Sequence, residues 1–133
     1  MTELEQARAY FAGDRFATEC AGAQILEVSP GHAVCTLEIQ PCHCNALGRP
    51  MGGLIFTLAD FAFAVASNFQ QTEKVSLNSQ ITYLSAAKGR TLSAEANVVK
   101  SGRSTCFYEI LVTDELGTKV AFVTSGGFTV GKG

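Results

Sequence analysis

Asp60 and the pair Gly52-Gly53 are the residues of this 133-residue chain whose types and spacing point most directly to chemistry. Asp60 is the only ionisable residue between Gly53 and Phe69, in a run that reads LIFTLADFAFAVASNF from Leu54. A carboxylate among apolar side chains is costly unless it is paired or hydrogen-bonded, and losing its hydration raises its pKa. No Lys, Arg or His lies between Arg49 and Lys74 to pair with it locally. Two readings stand side by side: a structural acid satisfied by a backbone amide or by the Thr57 hydroxyl, and a general base or nucleophile lining a site. Gly52-Gly53 supplies a second part. Glycines at a helix start let a ligand reach the backbone, and first-turn N–H groups have no partner inside the helix. Aided by the helix dipole, such amides hold a carbonyl oxygen as it gains negative charge. A diglycine alone reads as a tight turn; joined to an acid about two turns further on, it is a more specific signal.

The element that must position these groups is a helix from Leu54 to Phe69, rich in Leu, Ala and Phe and free of breakers. Apolar on all sides, it reads as a buried central helix. It is shorter than the roughly 20 residues of a membrane span and carries an acid near its middle. Ahead of it, residues 3 to 12 form a short amphipathic helix with Leu4, Ala7 and Phe11 on one side, ended by Gly13-Asp14. Alternation from Gly22 to Val28 and from Ala33 to Ile39, joined by Ser29-Pro30-Gly31, predicts a hairpin, and Gln40 to Pro50 is a loop. Four strands follow: Val75–Leu84, Thr91–Lys100, Ser104–Thr113 and Val120–Val130. In the first of them Val75, Leu77, Ile81 and Tyr83 share one face, with Ser76, Asn78, Gln80 and Thr82 on the other. Gly126-Gly127 in the last strand suggests a bulge or a close backbone approach. One apolar helix and one antiparallel sheet can only bury each other, an α+β arrangement. Phe107, Leu111, Val112 and Phe122 are too apolar for open solvent on both sheet faces, so oligomerisation is expected.

Length fits one domain, 1–133, with a real core. A net charge of −2 gives no reason to expect general nucleic-acid affinity. The opening MTELEQARAYFAGD has no signal-peptide pattern, which makes a cytoplasmic protein, off the membrane, the expectation. Cys20, Cys35, Cys42, Cys44 and Cys106 are an odd number and read as free thiols rather than a disulfide framework. Cys42-His43-Cys44 lacks a second ligand pair of suitable spacing, and His32 is the only other histidine, so no metal site is expected.

The stretch Asn45-Ala46-Leu47-Gly48-Arg49-Pro50-Met51-Gly52-Gly53, with Asp60 seven residues later, resembles the signature of the hotdog-fold thioesterases, specifically the PaaI-type acyl-CoA thioesterases. In that family the pattern is Asn-x-x-Gly-x-x-His-Gly-Gly followed by an acid. Val75–Leu84 before Ser85-Ala86-Ala87-Lys88, and Val99-Lys100-Ser101-Gly102-Arg103, are similar to later family segments, so the likeness runs from about Phe16 to Val130. The resemblance implies a hotdog fold, an antiparallel sheet wrapped around a long central helix. It implies hydrolysis of a small aryl- or short- to medium-chain acyl-CoA to free acid and coenzyme A. Asp60 matches the catalytic acid, nucleophile or general base; Gly53 matches the residue whose N–H polarises the thioester carbonyl. Asn45 matches a residue that positions the attacking water or the thioester, and Ser76 a strand residue that helps hold the water. Gly52, Met51 and Leu54 fall in the substrate-binding stretch, where Leu54, Leu58 and Phe61 are candidates to line an acyl pocket. Lys100 and Arg103 match a turn that contacts the coenzyme A phosphates. In related dimers Asn45 and Gly53 come from one subunit and Asp60 from the other; a homotetramer of two such dimers is the expected assembly. Coenzyme A enters only as part of the substrate, with no metal or redox cofactor.

One departure matters: Met51 stands where the family has histidine, and Met is a poor acceptor that donates nothing. His43, two residues before Asn45, is a candidate partial substitute or a surface loop histidine. Met51 also makes a non-catalytic acyl-CoA-binding or regulatory module a rival reading, against which the retained Asp60 argues. An enoyl-CoA hydratase is a weaker rival, since it calls for an acid and a histidine on one helix and no histidine follows His43.

Overall fold

The structure is a computed structural model that describes residues 1–130; residues 131–133, the end of the expected domain, lie outside the described residues. Helix α1 (Glu3–Phe11) starts on a capping box, in which Thr2 Oγ1 accepts from Glu5 N at 3.1 Å and the Glu5 carboxylate accepts from Thr2 N at 2.9 Å. It buries Ala7 and Phe11, and the Phe11 ring meets Phe61 edge-on with centroids 6.4 Å apart. A single π-helical turn, Phe16–Cys20, comes next and has no counterpart in the sequence reading. Strands β1 (Gln24–Ser29) and β2 (His32–Glu38) form the expected hairpin. At its tip Gly31 has φ +85° and its N–H donates to Ala66 O at 2.9 Å, which docks the hairpin on the central helix.

That helix, α2 (Gly52–Asn68), starts two residues earlier than the sequence suggested and includes both glycines. Four strands follow: β3 (Lys74–Tyr83), β4 (Thr91–Ser101), β5 (Thr105–Asp114) and β6 (Lys119–Thr129). The sheet is antiparallel in the order β1-β2-β4-β5-β6-β3. Its inner face carries Ile25, Ala33, Cys35, Leu37, Leu92, Ala94, Ala96, Ile110, Val112 and Val123 against α2. Ala33, Ala94 and Ala96 are small enough to let the helix lie close to the strands. This is the α+β hotdog arrangement, a sheet wrapped around one long helix. No helix of the described residues is long and apolar enough to cross a membrane.

Two details refine the expected strands. The Gly126-Gly127 pair is a close approach: a Cβ on Gly127 would lie 2.9 Å from Cys106 Sγ and 3.1 Å from the Phe63 ring. The bulge itself sits opposite, where the register of β3 shifts between Ser76 and Asn78. Among the described residues strand β3 pairs only with β6, and Val75, Leu77 and Tyr83, which share one face, are exposed. On the outer sheet face Phe107 and Phe122 are exposed, while Val112 points inward and is fully buried.

Candidate active site

The N-terminus of α2 is built by the loop before it. Asn45 Oδ1 accepts from Leu47 N at 2.9 Å and Arg49 N at 3.2 Å, and Gly48, at φ +78°, closes the turn by donating to Asn45 O. Asn45 is therefore a loop-organising residue whose oxygen is already engaged; among the described residues its NH₂ meets no acceptor. His43 accepts from Gln40 N through Nδ1 at 3.0 Å, which puts the ring proton on Nε2, and Nε2–H donates to Cys20 O at 3.0 Å. Both ring nitrogens thus pin the π turn to the loop, and His43 has none left for a substrate. The His43 carbonyl in turn accepts from Met51 N at 2.9 Å.

Met51 is the N-cap of α2 and has no side-chain oxygen to offer the first turn. Among the described residues no acceptor reaches the N–H of Gly52 or Gly53. Gly53 is exposed, and a Cβ there would lie 2.8 Å from Met51 Cε, so the Met51 methyl lies beside the Gly53 Cα. Gly52 is held from the other side: Tyr83 Oη donates to its carbonyl at 2.9 Å, and a Cβ would meet that oxygen at 2.7 Å. An open amide pair at the positive end of a helix of 17 residues favours negative charge beside it.

Asp60 corrects one expectation. The helix is not buried all round: Gly53, Phe56, Thr57, Asp60, Ala64 and Asn68 form a stripe that the sheet leaves uncovered. Asp60 sits half-buried on that stripe, and no hydrogen-bond partner reaches it among the described residues. The Thr57 hydroxyl, the structural partner the sequence offered, donates instead to Gly53 O at 2.7 Å. Burial pushes the Asp60 carboxyl above its ordinary value, and the Asp14 carboxylate pushes it in the same direction. Asp14 is itself raised by loss of hydration. The nearby cation is engaged elsewhere, since Arg15 is paired with Glu19 at 2.9 Å. A carboxylate with a raised pKa holds a proton more readily than an ordinary one.

Two cavities flank the stripe. One, of about 400 Å³, contains Gly53, Met51, Leu54, Thr57, Phe16 and Cys20 in its wall. The other, of about 370 Å³, contains Asp60, Asp14, Phe16, Phe56, Thr57 and Phe61. Leu54 is in the wall of the first cavity and Phe61 in that of the second, whereas Leu58 is fully buried core and lines neither. Within one chain Gly53 and Asp60 lie seven residues apart, about 10.5 Å along the helix axis. A single thioester carbon cannot be near both.

The chain matches the model of a family described as "Thioesterase superfamily" over residues 47–121. The chain belongs to the thioesterase superfamily. It is 30% identical over 128 residues to acyl-coenzyme A thioesterase PaaI of Escherichia coli K12, covering 96% of this chain and 91% of that protein. The solved structure of the E. coli PaaI protein from the phenylacetic acid degradation operon superposes with a TM-score of 0.89 at 27% identity, over 97% of this chain and 94% of that one. A hypothetical thioesterase from Streptococcus pneumoniae TIGR4, solved with coenzyme A, gives a TM-score of 0.84 at 28% identity over 92% and 98%. The protein is thus a thioester hydrolase of the PaaI-like hotdog kind.

Set on that thioesterase fold, the remaining site residues divide. Met51, Gly52, Gly53 and Leu54 come together at the start of α2. Ser76 does not join them: it is exposed on β3 opposite Gly127, at the level of Phe63. Lys100 and Arg103 are exposed at the β4–β5 turn, at the sheet end opposite Gly53. The register shows this, because Thr91 at the start of β4 faces Glu38, which leads to α2, whereas Asn97 faces His32 beside the hairpin tip docked on Ala66. Asp14 and Phe16 escaped the sequence reading. Their one signal was a polar–aromatic cluster, Asp14-Arg15-Phe16, placed after a helix stop.

Proposed function

We propose that this thioesterase hydrolyses acyl-CoA thioesters carrying a small aryl or a short- to medium-chain acyl group, with Asp60 and the Gly53 N–H as its catalytic groups. The observation that carries this reading is the pairing of an open helix-start amide with an unpartnered carboxylate on the same uncovered stripe, too far apart for one substrate. Two copies solve the distance. With their stripes apposed, Gly53 of one copy faces Asp60 of the other across a shared thioester. Strand β3 fits such a pairing, since its outer edge offers unpaired N–H and C=O groups beside exposed Val75 and Leu77. A second apolar surface, Phe107 and Phe122 on the outer sheet face, suits the joining of two dimers.

In the general-base route Asp60 takes a proton from water as its oxygen attacks the thioester carbon. The carbonyl oxygen becomes an oxyanion held by the Gly53 N–H. Collapse of that intermediate breaks the C–S bond, and the leaving thiolate takes the proton from Asp60. In the nucleophilic route the Asp60 carboxylate attacks directly, expels the thiolate and forms a mixed anhydride that water then cleaves. Neither route calls for a metal or redox cofactor. The Asn45 NH₂ is a donor for the water or the thioester, and Ser76 on β3 approaches the site only when a second copy pairs at that edge. Lys100 and Arg103, at the far end of one sheet, are cations that another copy's substrate phosphates can meet. The relatives support the substrate class: PaaI of E. coli is an acyl-coenzyme A thioesterase, and the S. pneumoniae neighbour was solved with coenzyme A.

Thiol release from phenylacetyl-, benzoyl-, hexanoyl- and acetyl-CoA tests the proposal, run beside Asp60→Asn with the fold checked by circular dichroism. Turnover that collapses in the variant supports it. Hydrolysis that survives the substitution removes Asp60 from the reaction, and a monomer by light scattering removes the shared site.

A further inference from the structure

We propose that Phe16 is a specificity-determining residue of the thioester site, its ring gripping the first carbons of the acyl group. The inference rests on the thioesterase reading above and adds a residue to it. An isolated exposed aromatic ring needs no explanation. Phe16 is 68% exposed, yet it is not on a loose loop. Its carbonyl accepts from Ala21 N at 3.0 Å, its neighbour Ala17 is buried, and Ala17 O accepts from Ala23 N at 2.9 Å. On either side the turn is fastened by Thr18 Oγ1 donating to Asp14 O at 3.0 Å and by His43 Nε2–H donating to Cys20 O at 3.0 Å. The ring is therefore presented on a fixed shelf beside the open stripe of α2.

Where the shelf presents it is the deciding observation. Among the described residues only Phe16 and Thr57 line both the cavity that holds Gly53 and the cavity that holds Asp60. The Thr57 hydroxyl is engaged with the Gly53 carbonyl, so Phe16 is the large apolar wall common to the amide side and the acid side. In the two-copy site each thioester then meets one Phe16 at its oxyanion half and the second copy's Phe16 at its acid half. The acyl carbons next to the reacting carbonyl lie between those rings. Phe56 and Phe61 continue the wall on the acid side, which favours flat acyl groups that stack against aromatic rings.

The test compares wild type, Phe16→Ala and Phe16→Leu on phenylacetyl-, hexanoyl- and acetyl-CoA, with kcat and KM resolved and the assembly followed by light scattering. Phe16→Ala lowers the ratio of kcat/KM for phenylacetyl- to acetyl-CoA by about 10- to 100-fold. Phe16→Leu restores hexanoyl-CoA more than phenylacetyl-CoA, because an aliphatic side chain packs on a chain but does not stack on a ring. A parallel fall on all three substrates, an unchanged ratio, or dissociation of the assembly in Phe16→Ala overturns the proposal, the last by making Phe16 an interface residue. Calorimetry in the Asp60→Asn background separates this inference from the activity. A loss of about tenfold or more in affinity for phenylacetyl-CoA, with less than about twofold for coenzyme A alone, supports Phe16 even if no substrate is turned over. In that case the hydrolase mechanism falls and the acyl contact stands. Equal losses for both ligands sink it.

Discussion

Asp60 and Asp114 are both shielded aspartates, and the chain treats them in opposite ways. Asp114, at the end of β5, is buried with both oxygens occupied: Oδ2 accepts from Lys88 N at 2.8 Å and Gly89 N at 3.0 Å, Oδ1 from Leu116 N at 3.0 Å and Thr118 N at 2.9 Å. Burial alone pushes its pKa up, but the amides of Lys88, Thr118 and Gly89 outweigh it and hold the carboxyl well below the usual carboxylate range. Glu115 beside it takes the N–H groups of Arg90 and Thr91, so two neighbouring acids staple the β3–β4 connection to the β5–β6 turn. Among the described residues Asp60 has no such donors, and its pKa is raised. Complete satisfaction marks a carboxylate that organises backbone; a partly dry carboxylate without donors is one left available to a substrate or a water.

The largest effect that tests this contrast is on turnover. Asp60→Asn removes the proton acceptor and is expected to lower kcat by about 10²- to 10⁴-fold. The same substitution raises Tm by about 2–5 °C, because the native state no longer holds a desolvated charge. The sign follows from linkage. Asp60 has a higher pKa folded than unfolded, so its native form binds the proton more tightly. Stability is then lost as pH rises from the ordinary carboxylate value near 4 through the raised native one. The Tm gap between variant and wild type should widen from pH 4 to pH 7. A lowered Tm at neutral pH would mean that Asp60 is satisfied after all.

Asp114→Asn should do the reverse. It sets an NH₂ group against amide donors and lowers Tm at neutral pH, with turnover per folded molecule kept. Because the native pKa of Asp114 is depressed, its contribution is present above the unfolded carboxylate value near 4 and is lost as pH falls below it. Thermal scans of both proteins should therefore converge toward pH 2. Scans that stay parallel would show that the four amide bonds are not what Asp114 contributes.

A finer test concerns the charge beside Asp60. The Asp14 carboxylate helps keep the Asp60 proton on, so Asp14→Asn should move the acid limb of the kcat profile to lower pH. An unmoved limb would leave burial as the only cause. How far such features were legible in the sequence depends on whether they leave a periodic mark. The alternation of β1 and β2 and the apolar run of α2 did, and the amide–acid spacing was legible beside them. The π turn Phe16–Cys20, FATEC, has no period, and with it the place of Asp14 and Phe16 beside Asp60 left no mark in the sequence. One reading goes too far: the apolar run of α2 predicts burial on all sides, whereas Phe56 and Ala64 on its outer stripe are only half-buried. Apolar patterning marks residues that favour burial, and the pattern alone does not say what covers them.

The smallest effect asks how many donors the reaction's own anion needs. Asp114 is held by four amides, whereas the oxyanion expected at Gly53 finds an open amide and, beside that residue's Cα, the Met51 methyl. Met51 is 54% exposed and its side chain can move aside, so a polar replacement fits without disturbing the core. Met51→His places a ring N–H where only a methyl now lies. One additional neutral donor contributes about 1 kcal/mol, so kcat should rise by roughly fivefold while KM changes less. If kcat stays level or falls, the methyl is already serving the amide by keeping water from it, since a hydrogen bond strengthens as its surroundings dry. The anion of Asp114 would then be held by the number of its donors, and the oxyanion at Gly53 by the dryness of one.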